Sequence, residues 1–139
     1  LFAAGLAVAL VMHRAQRLPP RPRGLFRWLG GWMLVAGAAL FGWAVYTMLH
    51  AGTSPDPRHP VSTVVERGPY AFTRNPIYAA FALVYAGGGL RANTLWPAVT
   101  LPFVMKALEQ LVVEKEEAYL ERRFGHDYAR YRERVPRWL

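Results

Sequence analysis

The sequence predicts an all-α protein: a multi-pass transmembrane helical bundle with a re-entering helical hairpin and a C-terminal amphipathic helical segment. Three observations predict it. Residues 28–49 run for 22 positions without an Asp, Glu, Lys, Arg or His. A second, largely apolar stretch over 77–113 is interrupted at Arg91-Ala92-Asn93, where a short turn fits. From Glu114 onward the chain is charged, yet Tyr119, Leu120, Phe124, Tyr128 and Tyr131 recur at helical spacings and should face the rest of the protein.

The 139 residues suit one domain. The mean hydropathy is near zero, but charge is segregated into blocks at 14–27, 58–74 and 114–137. As a helix, residues 28–49 would reach about 33 Å, enough for a hydrocarbon core of about 30 Å. Trp28, Trp32, Trp43 and Tyr46 place rings toward both ends of that helix, as interfacial belts do. Residues 1–12 are as apolar but too short to span, and the chain is read as beginning inside a longer helix. Leu18-Pro19-Pro20-Arg21-Pro22-Arg23-Gly24 should be a connector, because three of its residues are proline.

A second break is expected at 51–57, then an irregular or extended approach over 61–70. Asn75-Pro76 reads as a helix start, with Asn as N-cap and Pro in the first turn. The helix that follows is expected over 77–90, its end weakened by Gly87-Gly88-Gly89. Its partner should run from about 94 to 113, kinked at Pro97 and Pro102. Such a hairpin returns the chain to the face it left. Residues on either side of it therefore meet.

Those flanks carry the most distinctive motifs of the chain. Before the hairpin stand Arg67-Gly68-Pro69-Tyr70 and Arg74-Asn75-Pro76-Ile77-Tyr78. After it come Glu116-Glu117-Ala118-Tyr119-Leu120, Phe124-Gly125-His126-Asp127-Tyr128, Tyr131 and Val135-Pro136-Arg137. In this order, around this apolar spacer, they resemble the isoprenylcysteine carboxyl methyltransferase family of integral membrane enzymes. The resemblance covers roughly 61–138 and implies S-adenosylmethionine as cofactor. It implies one methyltransferase domain over residues 1–139, with transmembrane helices and connector in 1–50 and a cofactor-binding catalytic core in 58–139. Methyl transfer from a sulfonium needs little covalent help; the protein must hold the cofactor, align the acceptor and exclude water. A carboxylate suits the cofactor's ammonium or hydroxyls, and aromatic faces suit its adenine or sulfonium.

Carried over residue by residue, the resemblance places cofactor contacts at Ser62, Thr63, Val64, Val65, Tyr70, Asn75, Pro76, Ile77, Tyr78 and Glu116. Glu116 and Glu117 point about 100° apart on a helix and should not share one task. A surface pairing of Glu116 with Lys115, Arg122 or Arg123 is the plain alternative. Two positions depart from the family pattern. Asn75 stands where eukaryotic members have His, and Asn cannot titrate near pH 7. Val112 stands where they place a substrate-addressing Arg, so prenylcysteine specificity is poorly supported. The expected acceptor is a lipophilic small molecule or lipidated substrate carrying a carboxylate, amine or thiol.

The net charge of +8 suits anionic lipid headgroups. No recognition helix or stacking pattern argues for nucleic acid. The absence of cysteine excludes disulfides, thiolate catalysis and cysteine-ligated metals. His13, His50, His59 and His126 show no metal-ligand spacing. Lys106 and Glu109 lie three apart on one helix face, lining a polar cavity or snorkelling to the interface. S-adenosylmethionine is a cytoplasmic metabolite, so the motifs and C-terminus are expected to face the cytoplasm. Two rival readings are an NADPH-dependent membrane reductase of sterol-reductase type and a non-catalytic membrane binding protein.

Overall fold

The computed structural model describes residues 1–19, 22–54 and 60–139. Among them are six α-helices and no strand. The helices are α1 (Phe2–Ala15), α2 (Arg23–His50), α3 (Pro76–Arg91), α4 (Trp96–Leu108), α5 (Glu114–Phe124) and α6 (His126–Arg134). A 3₁₀ turn spans Gly68–Ala71, and a π-helical turn, Glu109–Val113, joins α4 to α5.

Helix α2 starts five residues before the apolar window because Pro22, extended at φ −72° and ψ 134°, sits just outside its first turn. The expected connector is therefore shorter than 18–24. Its Pro20 and Arg21 lie outside the described residues, as do 55–59 of the second break and its His59. At 28 residues α2 is the one described helix long and apolar enough to cross a membrane. It keeps an apolar outer face: Trp28, Trp32, Val35 and Trp43 are all exposed.

The other face of α2 packs on α3 through small residues. Gly30, Gly37 and Ala44 recur every seven residues on α2 and are buried. Ala80 and Gly87, also seven apart, are buried on α3. A Cβ on Gly37 would lie 3.0 Å from the Ala80 carbonyl oxygen, and one on Gly87 only 2.9 Å from that of Gly30. Only glycine permits this backbone approach, the usual means by which helices associate where water cannot drive them together. The glycines expected to weaken α3 thus have another use. The helix runs through them to Arg91, and Gly89 receives the ring of Pro97.

Helix α1 packs on α3 and α4. Phe2 meets Phe81 and Tyr85 edge-on at 5.8 Å, and a Cβ on Gly5 would collide with Val104. Pro97 occupies the first turn of α4, where no N–H is needed, so it produces no kink. Pro102 lies inside the helix. The helix does not stop at 113. Leu108, Glu109, Val113 and Glu114 all keep right-handed helical angles, so α4, the π turn and α5 form one continuous run. That run ends at Gly125, whose φ of 48° favours glycine.

Candidate functional site

The hairpin brings the two motif groups together. The Tyr78 hydroxyl, near the start of α3, donates to Glu116 Oε1 on α5 at 2.8 Å. Tyr70, buried in the 3₁₀ turn, lies close enough to Glu116 that the carboxylate, after burial itself, pushes its phenol pKa up. Burial likewise lifts Glu116 above the ordinary value of 4.5, and the Tyr78 hydrogen bond offsets part of that rise. Three of the residues named from sequence thus form one half-buried acid–phenol cluster. The expected alternative for Glu116, a surface pairing with Lys115, Arg122 or Arg123, is not what the geometry shows.

Thr63, Val64 and Val65 lie elsewhere, along a cavity of about 510 Å³. Its opposite wall is the C-terminal part of α2, with Trp43, Tyr46, Thr47 and His50. The Tyr46 and His50 rings lie against each other, tilted by 34° with centroids 4.0 Å apart. Gly68 closes the cavity toward the 3₁₀ turn. A Cβ there would lie 2.7 Å from Thr47 Oγ1 and 3.1 Å from the Trp43 indole nitrogen, at a φ of 58°. Glycine is therefore required where the chain passes from cavity wall to Tyr70. Val64 also packs against Tyr128, Tyr131 and Val135. Its neighbours in the cavity wall are thereby tied to the C-terminal segment.

The remaining named residues are engaged in holding the chain. Ser62 donates its hydroxyl to the Gly52 carbonyl at 2.8 Å and lies 2.6 Å from Thr53 Oγ1, fastening the approach segment to the end of α2. Asn75 occupies the N-cap position of α3, but its side chain makes no cap bond. Its amide instead donates to the Arg137 carbonyl at 3.2 Å. The expected capping role is corrected accordingly: Thr73 Oγ1 accepts the Asn75 N–H in the turn before the helix. Pro76 is buried and Ile77 half-buried beside it.

Sequence reasoning assigned no role to Glu117, Arg137, Arg74 or Thr73, and these, with the inward-facing Tyr131, fix the site's shape. Arg137 grips Glu117 with two parallel bonds of 3.0 and 2.8 Å and reaches Glu109 at 2.8 Å. Arg74 Nη1 pairs with the same Glu117 Oε1 that Arg137 Nε binds, at 2.9 Å. The Arg74 N–H donates to the Pro136 carbonyl, and Thr73 Oγ1 to that of Arg137. Tyr131 donates to the Tyr70 carbonyl at 2.8 Å. The C-terminal residues are thus a strap across the motif turn. Lys106 and Glu109 do pair, at 3.5 Å, with Glu109 shared with Arg137. Tyr119, expected to face inward, is exposed, whereas Tyr128 and Tyr131 are buried. The signal for the strap was present as Val135-Pro136-Arg137, without a partner to attach it to.

The donor set suits an organic cation with hydroxyls and an aromatic base. It offers a half-buried carboxylate, phenols and a cavity of a size usual for drug-sized ligands, walled in part by indole and phenol rings. No solved structure matches the chain. A 55-residue stretch is 38% identical to an uncharacterized protein of Haemophilus influenzae, covering 36% of this chain and 87% of that protein. The sequence model of phospholipid methyltransferases matches residues 25–127. That match begins in the first turn of α2, passes through Tyr70, Tyr78 and Glu116, and ends in α6: the chain belongs to the phospholipid methyltransferase family, the group of the isoprenylcysteine carboxyl methyltransferase-like membrane enzymes.

Proposed function

We propose that this protein transfers a methyl group from S-adenosylmethionine to a lipophilic acceptor at the cytoplasmic face of a membrane. The observation that carries the reading is the Tyr78–Glu116 hydrogen bond, which joins two motifs 38 residues apart, in a cluster whose Tyr70 follows Gly68 of the aromatic-walled cavity by two positions. The whole chain, 1–139, is one membrane-embedded domain on this reading. Helices and connector in 1–50 anchor it as a multi-pass protein, and 58–139 form the catalytic core. Residues Thr63, Val64 and Val65 wall the cofactor cavity. Tyr70, Tyr78 and Glu116 receive its polar end, with Glu116 Oε2 taking an ammonium or ribose hydroxyl. Ser62, Asn75, Pro76 and Ile77 keep those contacts in register.

The bound cofactor supplies an electrophilic methyl on a sulfonium. The protein supplies alignment and dryness. The acceptor enters sideways from the bilayer, along the apolar face of α2, so that only its carboxylate, amine or thiol reaches the aqueous edge. Family membership favours a lipid-related acceptor. Asn75, held by the Arg137 carbonyl, is placed to position and not to take a proton.

The reading is tested by incubating protein in lipid nanodiscs with methyl-tritiated S-adenosylmethionine and a total lipid extract. Label in the lipid phase, lost in Glu116→Ala, is the expected result. Oxidation of NADPH by the same preparation with no methyl transfer would establish the reductase instead. Silence in both assays from folded protein would leave a binding protein.

A further inference from the structure

Among the described residues, the end of the molecule remote from Glu116 carries arginines with no carboxylate paired to them. Every Asp and Glu of the sequence lies at or beyond position 56, whereas Arg14, Arg17, Arg23 and Arg27 precede it. Leu95 N–H bonds the Leu18 carbonyl, and the Trp96 indole bonds that of Gln16, so the α1 exit and the α4 start share this end with Arg27 and Arg91. Here α2 and α3 leave a notch of about 440 Å³. Arg27 and Arg91 stand on its two sides, and neither meets a carboxylate among the described residues.

The rest of the lining is not what a soluble anion would use. Trp28 and Trp32 meet edge-on at 5.8 Å and are 62% and 57% exposed. Below them the exposed Val35 continues the notch onto the apolar outer face of α2. Gly31 lies in the lining, and a Cβ there would meet nothing within 4 Å. The floor is therefore open. Gly30, one position away, lets the Arg91 backbone come within 2.8 Å of where its own Cβ would be, which brings the Arg91 end of α3 up against α2 at the notch.

We propose that this notch is a binding site for the headgroup of an anionic phospholipid. The two guanidinium groups take the phosphate, the indoles lie at the glycerol and ester level, and an acyl chain runs down past Val35. Guanidinium pairs recognise phosphate through several charge-assisted bonds. Such bonds to a headgroup phosphate form at either face of a bilayer, and indoles favour the depth at which headgroup meets chain. Trp28 is separated from Thr47 of the cofactor cavity by 19 residues of helix, about 28 Å. The lipid held here is therefore not the methyl acceptor, and the site stands whether or not the protein is a methyltransferase.

The test is native mass spectrometry of the full chain released from detergent after incubation with equal amounts of dioleoylphosphatidylglycerol and dioleoylphosphatidylcholine. Wild type should retain the anionic lipid in preference by on the order of tenfold. Arg27→Gln/Arg91→Gln should bring the ratio close to one. Gly31→Leu improves helix propensity and fills the notch without removing charge, so it should do the same in a folded protein. Arg23→Gln, outside the notch, should keep the preference. Four results would overturn the site: equal retention by wild type, a preference unchanged in either notch variant, the same loss in Arg23→Gln, or displacement of the lipid by millimolar inorganic phosphate.

Discussion

Glu116 and Glu117 are neighbours in sequence with different environments. Their separation of about 100° on α5 turns Glu116 toward Tyr78 and Glu117 toward Arg74 and Arg137. Glu116→Ala should weaken S-adenosylhomocysteine binding by at least about 1 kcal/mol, the loss of one charge-assisted hydrogen bond, while the fold persists. Glu117→Ala should instead lower stability by about 3 kcal/mol, since the poorly exposed Arg74 loses its counter-charge and Arg137 is left with Glu109 alone. Thermal unfolding in detergent separates the two outcomes. The pH dependence also divides. Burial raises the folded pKa of Glu116, so its contribution favours folding below 4.5 and is lost as pH rises through the folded value. Glu116→Gln should therefore be more stable relative to wild type at pH 7.5 than at pH 4. Ligand affinity carries the opposite sign. It should fall as pH drops through the raised pKa in wild type and stay flat in Glu116→Gln.

At the scale of elements, the contact between α2 and α3 decides where the motifs sit. Its glycines admit no larger side chain without moving backbone, so Gly87→Val should destabilise by about 1–3 kcal/mol. Gly88→Ala, whose Cβ would meet nothing within 4 Å, should be neutral or slightly stabilising. A melting comparison of the two checks this. Sequence periodicity and the Asn75-Pro76 start located α3 to within a residue at each end, because those signals are local. The use of Gly30, Gly37 and Gly87 was not legible, since it depends on which faces meet. A glycine run looks the same whether it ends a helix or admits a neighbour. The π turn at Glu109–Val113 was hidden for a related reason. Nothing in Glu-Gln-Leu-Val-Val disfavours a regular helix, and Arg137, which holds Glu109, comes 28 residues later.

For the whole molecule, the hairpin makes the joining of the two motif groups legible in the sequence. Apolar stretches of that length must return the chain to its starting face. The division of the named residues into an acid–phenol cluster and a cavity wall was not, because it depends on how Gly68 turns past Trp43 and Thr47. The chain contains no cysteine, so single introduced thiols report sidedness without background. With α2 spanning, Arg17→Cys and Glu133→Cys should react with an impermeant maleimide from opposite sides of a sealed vesicle, Glu133→Cys from the cytoplasmic side. Labelling of both from one side would contradict a spanning α2. The most direct test of the account is calorimetric titration of the purified protein with S-adenosylhomocysteine, in wild type and Glu116→Ala. Saturable binding to wild type, weakened at least about fivefold in the folded variant, is the predicted result. Equal affinity in both, or no binding to folded wild type, would contradict it.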